Sequence, residues 1–393
     1  MIYLLFFAIL IMCHVLSHLS FFEKRNHLKN ILAIWLPVIC LILISTFKSN
    51  NVGTDTGSYF SSYKEALKSD DPYSLQQFQS YEIGFRYLFL TFAKYKIPFK
   101  IFQLFVYVFI YTLLGVVVRK ESKYPCFSLL VFSLWSFMIF NFSGLRQAMA
   151  DSLAFFSFFV LTRRFKKTLH TIICVVLSLV LFAISCTLHT SSIAFAIAFL
   201  LYGVFVLLPN SFHRIIVIMA IFVPFIFFLT PQLYELFFYI LKINYYIPTE
   251  RAGVGELFYL YYAILLFAMV FSTNNIVSIY VNNWFDKIKF FRQKENLNTR
   301  DESISNYTLV LISAFLIGSI IQSFSAVCFT MTRLSNPFLL SVIIIVPNII
   351  YRNKSKNLRI AAQFVFIVVL ALVFLVDYYK GNYLNGFPYS FSF

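Results

Sequence analysis

The sequence predicts an all-α polytopic membrane protein, with about 12 transmembrane helices and an outer-face cavity capped by interfacial or re-entrant helices. Three observations carry that expectation. Of the 393 residues, 60% are hydrophobic and only 12% are charged, which leaves a soluble domain too little polar surface to face water. Apolar runs recur from end to end, and in lipid a helix satisfies its own backbone hydrogen bonds. The basic residues stand between those runs in short clusters: Lys24, Arg25 and Lys29; Arg119, Lys120 and Lys123; Arg163, Arg164, Lys166 and Lys167; Arg214; Lys287, Lys289, Arg292, Lys294 and Arg300; Arg352, Lys354, Lys356 and Arg359. That is the pattern of loops retained on the cytoplasmic side.

Taken in order, the expected spans are 2–20, 31–47, 98–118, 124–142, 145–162, 168–187, 190–208, 214–230, 257–281, 306–328, 334–350 and 360–377. At about 20 residues each they use about 240 residues, so 1–393 reads as a single integral membrane domain. The first run lacks a basic start and an A-x-A site and reads as a span. Residues 48–97 form an outer loop with interfacial helices. Within it 81–96, YEIGFRYLFLTFAKYK, carries Glu82, Arg86, Lys94 and Lys96 and is too short to cross, so it reads as an interfacial or re-entrant helix. Residues 231–256 form a second outer loop and 282–305 a cytoplasmic one. An even span count puts both termini outside.

The net charge of +16 is spread over short loops. It is a topology signal, and nucleic acid is not an expected partner. The six cysteines lie in or beside apolar runs without a C-x-x-C pair and read as small buried hydrophobes. No P-loop, Rossmann glycine pattern or G-x-S-x-G occurs.

The outer-side charges then become informative: Asp55, Glu82, Arg86, Arg146, His189, Glu250, Arg251 and Arg333. In NFSGLRQAMAD, Ser143 can cap a helix with Arg146 in its first turn. A cation there opposes the helix macrodipole, and a bound phosphate would reconcile the two. Snorkelling, or pairing with Asp151, is the bland alternative. Arg333 in TMTRLSNPF repeats the pattern, just before a helix that Ser335 or Asn336 can cap, with Pro337 in the first turn. Arg251 closes YYIPTERAGVGE and otherwise reads as a solvated loop charge. Three outer arginines from separate loops point to a polyanion. His189 is either a structural hydrogen-bonder or a base. Thr54 or Asp55 can cap a short helix on which Tyr59 and Tyr63 share one face. Carboxylate with aromatic faces suits a sugar, and an amphipathic outer helix with interfacial tyrosines is the competing reading. Glu82 and Arg86 are spaced for a helix ion pair. His14 and His18 lack a third ligand, so neither a metal nor a cofactor is expected.

Taken together, G-T-D-x-x-x-Y (Gly53 to Tyr59) with Tyr63, Y-E-x-G-F (Tyr81 to Phe85), L-R-Q-A-x-A (Leu145 to Ala150), L-H-x-S-S (Leu188 to Ser192) and T-R-L-x-x-P-F (Thr332 to Phe338) resemble the EpsG/Wzy-type family of bacterial polysaccharide polymerases. The resemblance implies a glycosyltransferase of the bacterial cytoplasmic membrane, acting on its outer side. It would join undecaprenyl-diphosphate-linked oligosaccharide repeat units into O-antigen or capsular polysaccharide, with membrane lipids and a chain-length regulator as candidate partners. On that reading Arg146 and Arg333, with Arg251 or Arg86, hold the diphosphate. Asp55, Glu82 or His189 acts on the acceptor hydroxyl, and Tyr59 and Tyr63 bind sugar. The rivals are a metal-dependent lipid-phosphosugar glycosyltransferase using Asp55, Asp70 and Asp71, a flippase or transporter of lipid-linked sugar, and an O-acyltransferase.

Overall fold

The computed structural model describes residues 2–17, 30–135, 137–163, 168–207, 306–323, 330–351 and 356–380, with Leu28, Asn353, Gly386 and 388–392. Among these, the secondary structure is helical apart from one isolated bridge between Lys48 and Phe391. Four helices are long and apolar enough to cross a membrane: Phe99–Glu121, Thr168–Leu188, Met331–Tyr351 and Asn357–Val376. A fifth arises if the pair Pro125–Leu134 and Phe137–Ser143, bent by 59°, is one broken span. Several other expected spans are apolar helices of 10–17 residues, shorter than the roughly 20 that a 30 Å core needs. The expected spans 214–230 and 257–281 lie outside the described residues, as do Arg251 and the loops 231–256 and 282–305.

Two compact units emerge, Met1–Ile193 with Ile360–Phe393, and Ala194–Arg359. The first contains α1 (Ile2–Ser17), a π-helical turn leading into α2 (Leu36–Thr46), α3 (Thr56–Lys68), α4 (Ile83–Lys94), α5 (Phe99–Glu121), α6 (Pro125–Leu134), α7 (Phe137–Ser143), α8 (Leu145–Leu161) and α9 (Thr168–Leu188). In it α8 packs on α9 and α5, α2 on α5, α1 on α6, and α4 on α3 and α9. In the second, α10 (Ala196–Leu207) packs on α11 (Asn306–Ser323), and α11 on α12 (Thr330–Leu339) and α13 (Val342–Tyr351). The last helix, α14 (Lys356–Lys380), runs on from the second unit into the first.

Segment 81–96 folds as the 12-residue α4, shorter than the roughly 20 residues a span needs. Its apolar face, Phe85, Phe89, Leu90 and Ala93, is buried. That face meets protein rather than lipid. Tyr63 of α3 lies edge-on to Phe89 at 5.0 Å and stacked on Phe102 of α5 at 5.8 Å, and Phe89 lies edge-on to Phe102 at 5.3 Å. An aromatic wedge thus fixes α3 and α4 on the head of α5, each pair adding about 0.5–1.5 kcal/mol to its area burial. At the far ends of α5 and α8, Glu121 and Arg163 form an ion pair.

Two glycines set the approach of α4 and of the turn before α3. Gly53 has φ +93° and lies against the Phe142 carbonyl, which an added Cβ would meet at 2.6 Å. Gly84, in the first turn of α4, lies against Thr187 at the end of α9, where a Cβ would meet the Thr187 side chain and, at 2.9 Å, its carbonyl oxygen. Gly84→Ala is therefore expected to force α4 off α9 and lower the melting temperature of the purified protein by several degrees. Adding Thr187→Ala should restore stability only in part, because the carbonyl contact remains. A Gly84→Ala melt equal to wild type would contradict this packing.

Candidate functional site

The broken ladder around Gly144 builds the site. Helix α7 ends at Ser143 and α8 begins at Leu145, with Gly144 at the N-cap and no side-chain cap. Ser143 does not cap α8 as its sequence suggests. Its Oγ accepts the Asp55 amide at 3.3 Å, so it fastens the loop before α3. With glycine at the N-cap, α8 has no side-chain cap, and a helix N-terminus favours an anion.

Arg146 sits in that first turn. Its Nη1 donates to Glu82 Oε2 at 2.7 Å and its Nε to the Tyr59 hydroxyl at 3.1 Å. The guanidinium lies 4.6 Å from the centroid of Tyr81, within cation–π range. The Arg146 side chain is 22% exposed. The sequence alternative of an Arg146–Asp151 pair is not realised: Asp151 is buried and accepts from Ser192 Oγ at 3.4 Å.

Glu82 stands at the N-cap of α4 but does not cap it. Its other oxygen, Oε1, pairs with His189 Nδ1 and accepts the Thr190 amide at 3.4 Å. One carboxylate thus joins the starts of α4 and α8 to the turn after α9. Burial alone would raise its pKa. The hydrogen bond and charge of His189, its own backbone amide and Arg146 outweigh that and hold Glu82 down at about 2. The ion pair expected between Glu82 and Arg86 does not form. Arg86 donates its backbone amide to the Glu82 carbonyl at 2.8 Å, and its guanidinium lies 5.9 Å from the Tyr87 ring. Geometry explains this: the partners brought by tertiary packing, Arg146 and His189, engage both carboxylate oxygens and are partly buried, whereas the helical i, i+4 pair is worth only a few tenths of a kcal/mol.

The two tyrosines expected to bind sugar share one face of α3, as their spacing implies, but that face is turned inward. Tyr59 is 4% exposed and Tyr63 0%. Tyr63 donates to the Ile97 carbonyl at 2.8 Å and belongs to the aromatic wedge. Tyr59 reaches the site through its hydroxyl alone. Burial, partly offset by Arg146, pushes that hydroxyl up to about 12. Asp55 occupies the N-cap of α3 without capping it, and it is close enough to Tyr59 for its charge to act on the phenol. His14 is paired with Gln363 at 2.9 Å. Among the described residues, no group of three His, Cys, Asp or Glu side chains is placed to share a metal ion.

Arg333 lies in the other unit. It is exposed and sits inside α12 rather than ahead of it. Ser335 is not a cap: its hydroxyl turns back to the Thr332 carbonyl at 2.9 Å and reaches Gln322. Pro337 lies within the helix.

Lys48 and Lys100 are site-supporting cations that the sequence reading passed over. Lys48 is fully buried, with Nζ donating to the Val52 carbonyl at 2.8 Å and to Thr56 Oγ1 at 2.6 Å, and 5.7 Å from the Phe142 ring. Burial, with Lys100 nearby, pushes it well below the ordinary lysine range. Thr56 Oγ1 in turn reaches the Phe142 carbonyl at 2.7 Å, so Lys48 pins the start of α3 to α7. Residues 388–392 close the same corner. Ser49 donates its amide to the Ser390 carbonyl at 2.7 Å, and Tyr389 its hydroxyl to the Ile44 carbonyl at 2.7 Å. The available signal for Lys48 was a lone lysine past the outer end of an apolar run.

A helical bundle with membrane-length apolar helices, bearing an arginine–carboxylate–histidine cluster at one end, defines a multi-pass membrane protein with a polar site built from several helix ends. The chain belongs to the EpsG family, whose sequence profile matches residues 31–391, nearly its whole length. That family is related to the Wzy-type polysaccharide polymerases, so this is a membrane protein of polysaccharide-polymerase type. No curated protein and no solved structure matches the chain.

The sign of the Glu82 shift gives a pH prediction. A carboxylate held below its ordinary 4.5 contributes stability that is complete above pH 4.5 and disappears as pH falls toward about 2. Wild type should therefore melt above Glu82→Gln at pH 7, and the gap should close between pH 4.5 and about 2. A gap that stays constant across that range would contradict the assigned ion pairs.

Proposed function

We propose that the protein is a glycosyltransferase that polymerises undecaprenyl-diphosphate-linked oligosaccharide repeat units into O-antigen or capsular polysaccharide, in an outer-face cavity of the bacterial cytoplasmic membrane. The observation that carries this reading is the uncapped start of α8 with Arg146 in its first turn. Amides and guanidinium converge there on a place suited to a diphosphate. Arg146 uses Nη1 and Nε on Glu82 and Tyr59, which fixes the plane of the fork and leaves Nη2 for the ligand. The sidedness follows from charge. The basic clusters at 119–123 and 163–167 belong to the ends of α5 and α8 where Glu121 meets Arg163, and such clusters are retained in the cytoplasm.

In the reaction, the acceptor sugar hydroxyl attacks the anomeric carbon of the carrier-linked chain. The anomeric carbon–oxygen bond breaks, and its electron pair leaves with the diphosphate, where Arg146 and the α8 amides stabilise the added charge. The hydroxyl proton passes to a base. Of Asp55, Glu82 and His189, the geometry favours His189. Its Nδ1 is held by Glu82, which orients the ring and stabilises the imidazolium formed when Nε2 takes the proton. Glu82, held at about 2, is too weak a base for the task and serves as the orienting group. No nucleotide is needed, because the lipid diphosphate is itself the leaving group.

The test uses purified protein in nanodiscs with lipid-linked repeat units. Arg146→Ala should abolish chain lengthening. His189→Ala should lower its rate by about 10²–10⁴-fold. Arg333, assigned to the leaving group on sequence grounds alone, is tested by Arg333→Ala in the same assay. Near-normal polymer from folded Arg146→Ala would refute the diphosphate site.

A further inference from the structure

Tyr59, Tyr63 and Tyr81 share the aromatic cage around α3 and α4, but they use their hydroxyls differently. Tyr63 donates to the Ile97 carbonyl at 2.8 Å, and Tyr59 accepts from Arg146 Nε at 3.1 Å. Tyr81 is half-buried, and its hydroxyl has no hydrogen-bond partner among the described residues. Its place is nevertheless fixed. It lies between the 3₁₀ turn Gln76–Ser80 and α4, and its amide donates to the Phe78 carbonyl at 3.0 Å. Phe78 at 5.7 Å, Phe85 and Phe89 at 5.9 Å, and Tyr59 at 6.1 Å all meet its ring edge-on. Phenylalanine would satisfy that packing, as it does at positions 78, 85 and 89. The hydroxyl calls for another reason.

Its neighbours supply one. The Arg146 guanidinium lies 4.6 Å from the Tyr81 ring centroid, so the ring supports one face of the cation. The Tyr81 phenol is also close enough to Tyr59 for its charge to act on that hydroxyl. Tyr81 immediately precedes Glu82, whose carboxylate takes Arg146 Nη1 at 2.7 Å. The start of α4 therefore places the phenol and the anchor of the guanidinium together. Arg146 commits Nη1 and Nε to the protein, while Nη2 has no partner among the described residues. A charged donor and a neutral one are thus left uncommitted on one rigid cluster. A guanidinium only donates, and a diphosphate offers acceptor oxygens. A phenol adds a donor there without a second positive charge to desolvate.

We propose that the Tyr81 hydroxyl is a further binding group of the diphosphate site, donating to a phosphate oxygen beside Arg146 while its ring holds the face of that guanidinium. This deepens, and rests on, the reading of Arg146 as a diphosphate ligand. Charge grows on the diphosphate as the anomeric bond breaks, so the bond from Tyr81 tightens in the transition state.

The experiment uses the full chain in phosphatidylcholine nanodiscs, with inorganic pyrophosphate as the probe. Calorimetric titration should give binding to wild type and none to Arg146→Ala. Tyr81→Phe keeps the ring and the cage, so its melting temperature should match wild type. Its Kd for pyrophosphate should rise about tenfold or more, the usual effect of deleting a donor to a charged acceptor. Tyr81→Leu, which also takes the ring from the guanidinium, should bind more weakly still. Equal binding by wild type and Tyr81→Phe overturns the assignment and leaves the diphosphate reading of Arg146 standing. No binding to wild type, or undiminished binding by folded Arg146→Ala, overturns that reading and the assignment with it. A second series in phosphatidylglycerol nanodiscs separates a carrier diphosphate from bulk headgroups. The ratio of the Tyr81→Phe and wild-type Kd values should persist there, and a ratio that falls to one would give the hydroxyl to headgroup phosphates and overturn the proposal. In the polymerisation assay Tyr81→Phe should lower kcat with little change in KM. A raised KM at unchanged kcat would contradict a bond that tightens as the leaving group departs.

Discussion

The Glu82 carboxylate, divided between Arg146 and His189, is the interaction on which this end of the first unit depends. One oxygen holds the guanidinium at 2.7 Å and the other holds the imidazole. A single group therefore ties the start of α4 to the start of α8 and to the turn after α9. The arrangement answers a problem set by burial. An arginine in the first turn of a largely buried helix is costly in isolation and opposes the local helix dipole. A carboxylate at the same place neutralises the cation and satisfies the dipole together. Such a pair is sensitive to position, because losing either partner strands a partly buried charge.

Its position is set by shape. Gly84 lets α4 come within a Cβ diameter of Thr187, and without that approach Glu82 would stop short of the α9 turn. The aromatic wedge of Tyr63, Phe89 and Phe102 keeps α3 and α4 from sliding. Lys48, Thr56 and Ser143 tie the loop before α3 to the break between α7 and α8. The dependence is sequential. Packing places the helix starts, and the helix starts place the charges.

Some of this was legible in the residues. Arg146 does lie in a first helical turn, and segment 81–96 does fold as a short helix. Elsewhere, local rules lost to distant partners. The i, i+4 spacing of Glu82 and Arg86 promised an ion pair, but Arg146 offered a more buried one. Ser143 had a capping position and gave its hydroxyl to Asp55 instead. Tyr59 and Tyr63 do share a face, but periodicity says only that two residues point the same way and never which way. Lys48, the most buried cation of the loop, gave almost no signal, because its partners are backbone carbonyls and a threonine hydroxyl.

The sequence by itself determined that the chain is helical and membrane-embedded, where its polar residues gather along the chain, and to which family it belongs. Hydropathy, charge placement and motif order are properties of short stretches and survive without a fold. Only the tertiary structure decided that Glu82 joins Arg146 to His189 and that the expected sugar rings, Tyr59 and Tyr63, are buried. Those outcomes depend on which helix ends meet, and that is fixed by the packing of glycine notches and aromatic side chains from segments far apart in the chain.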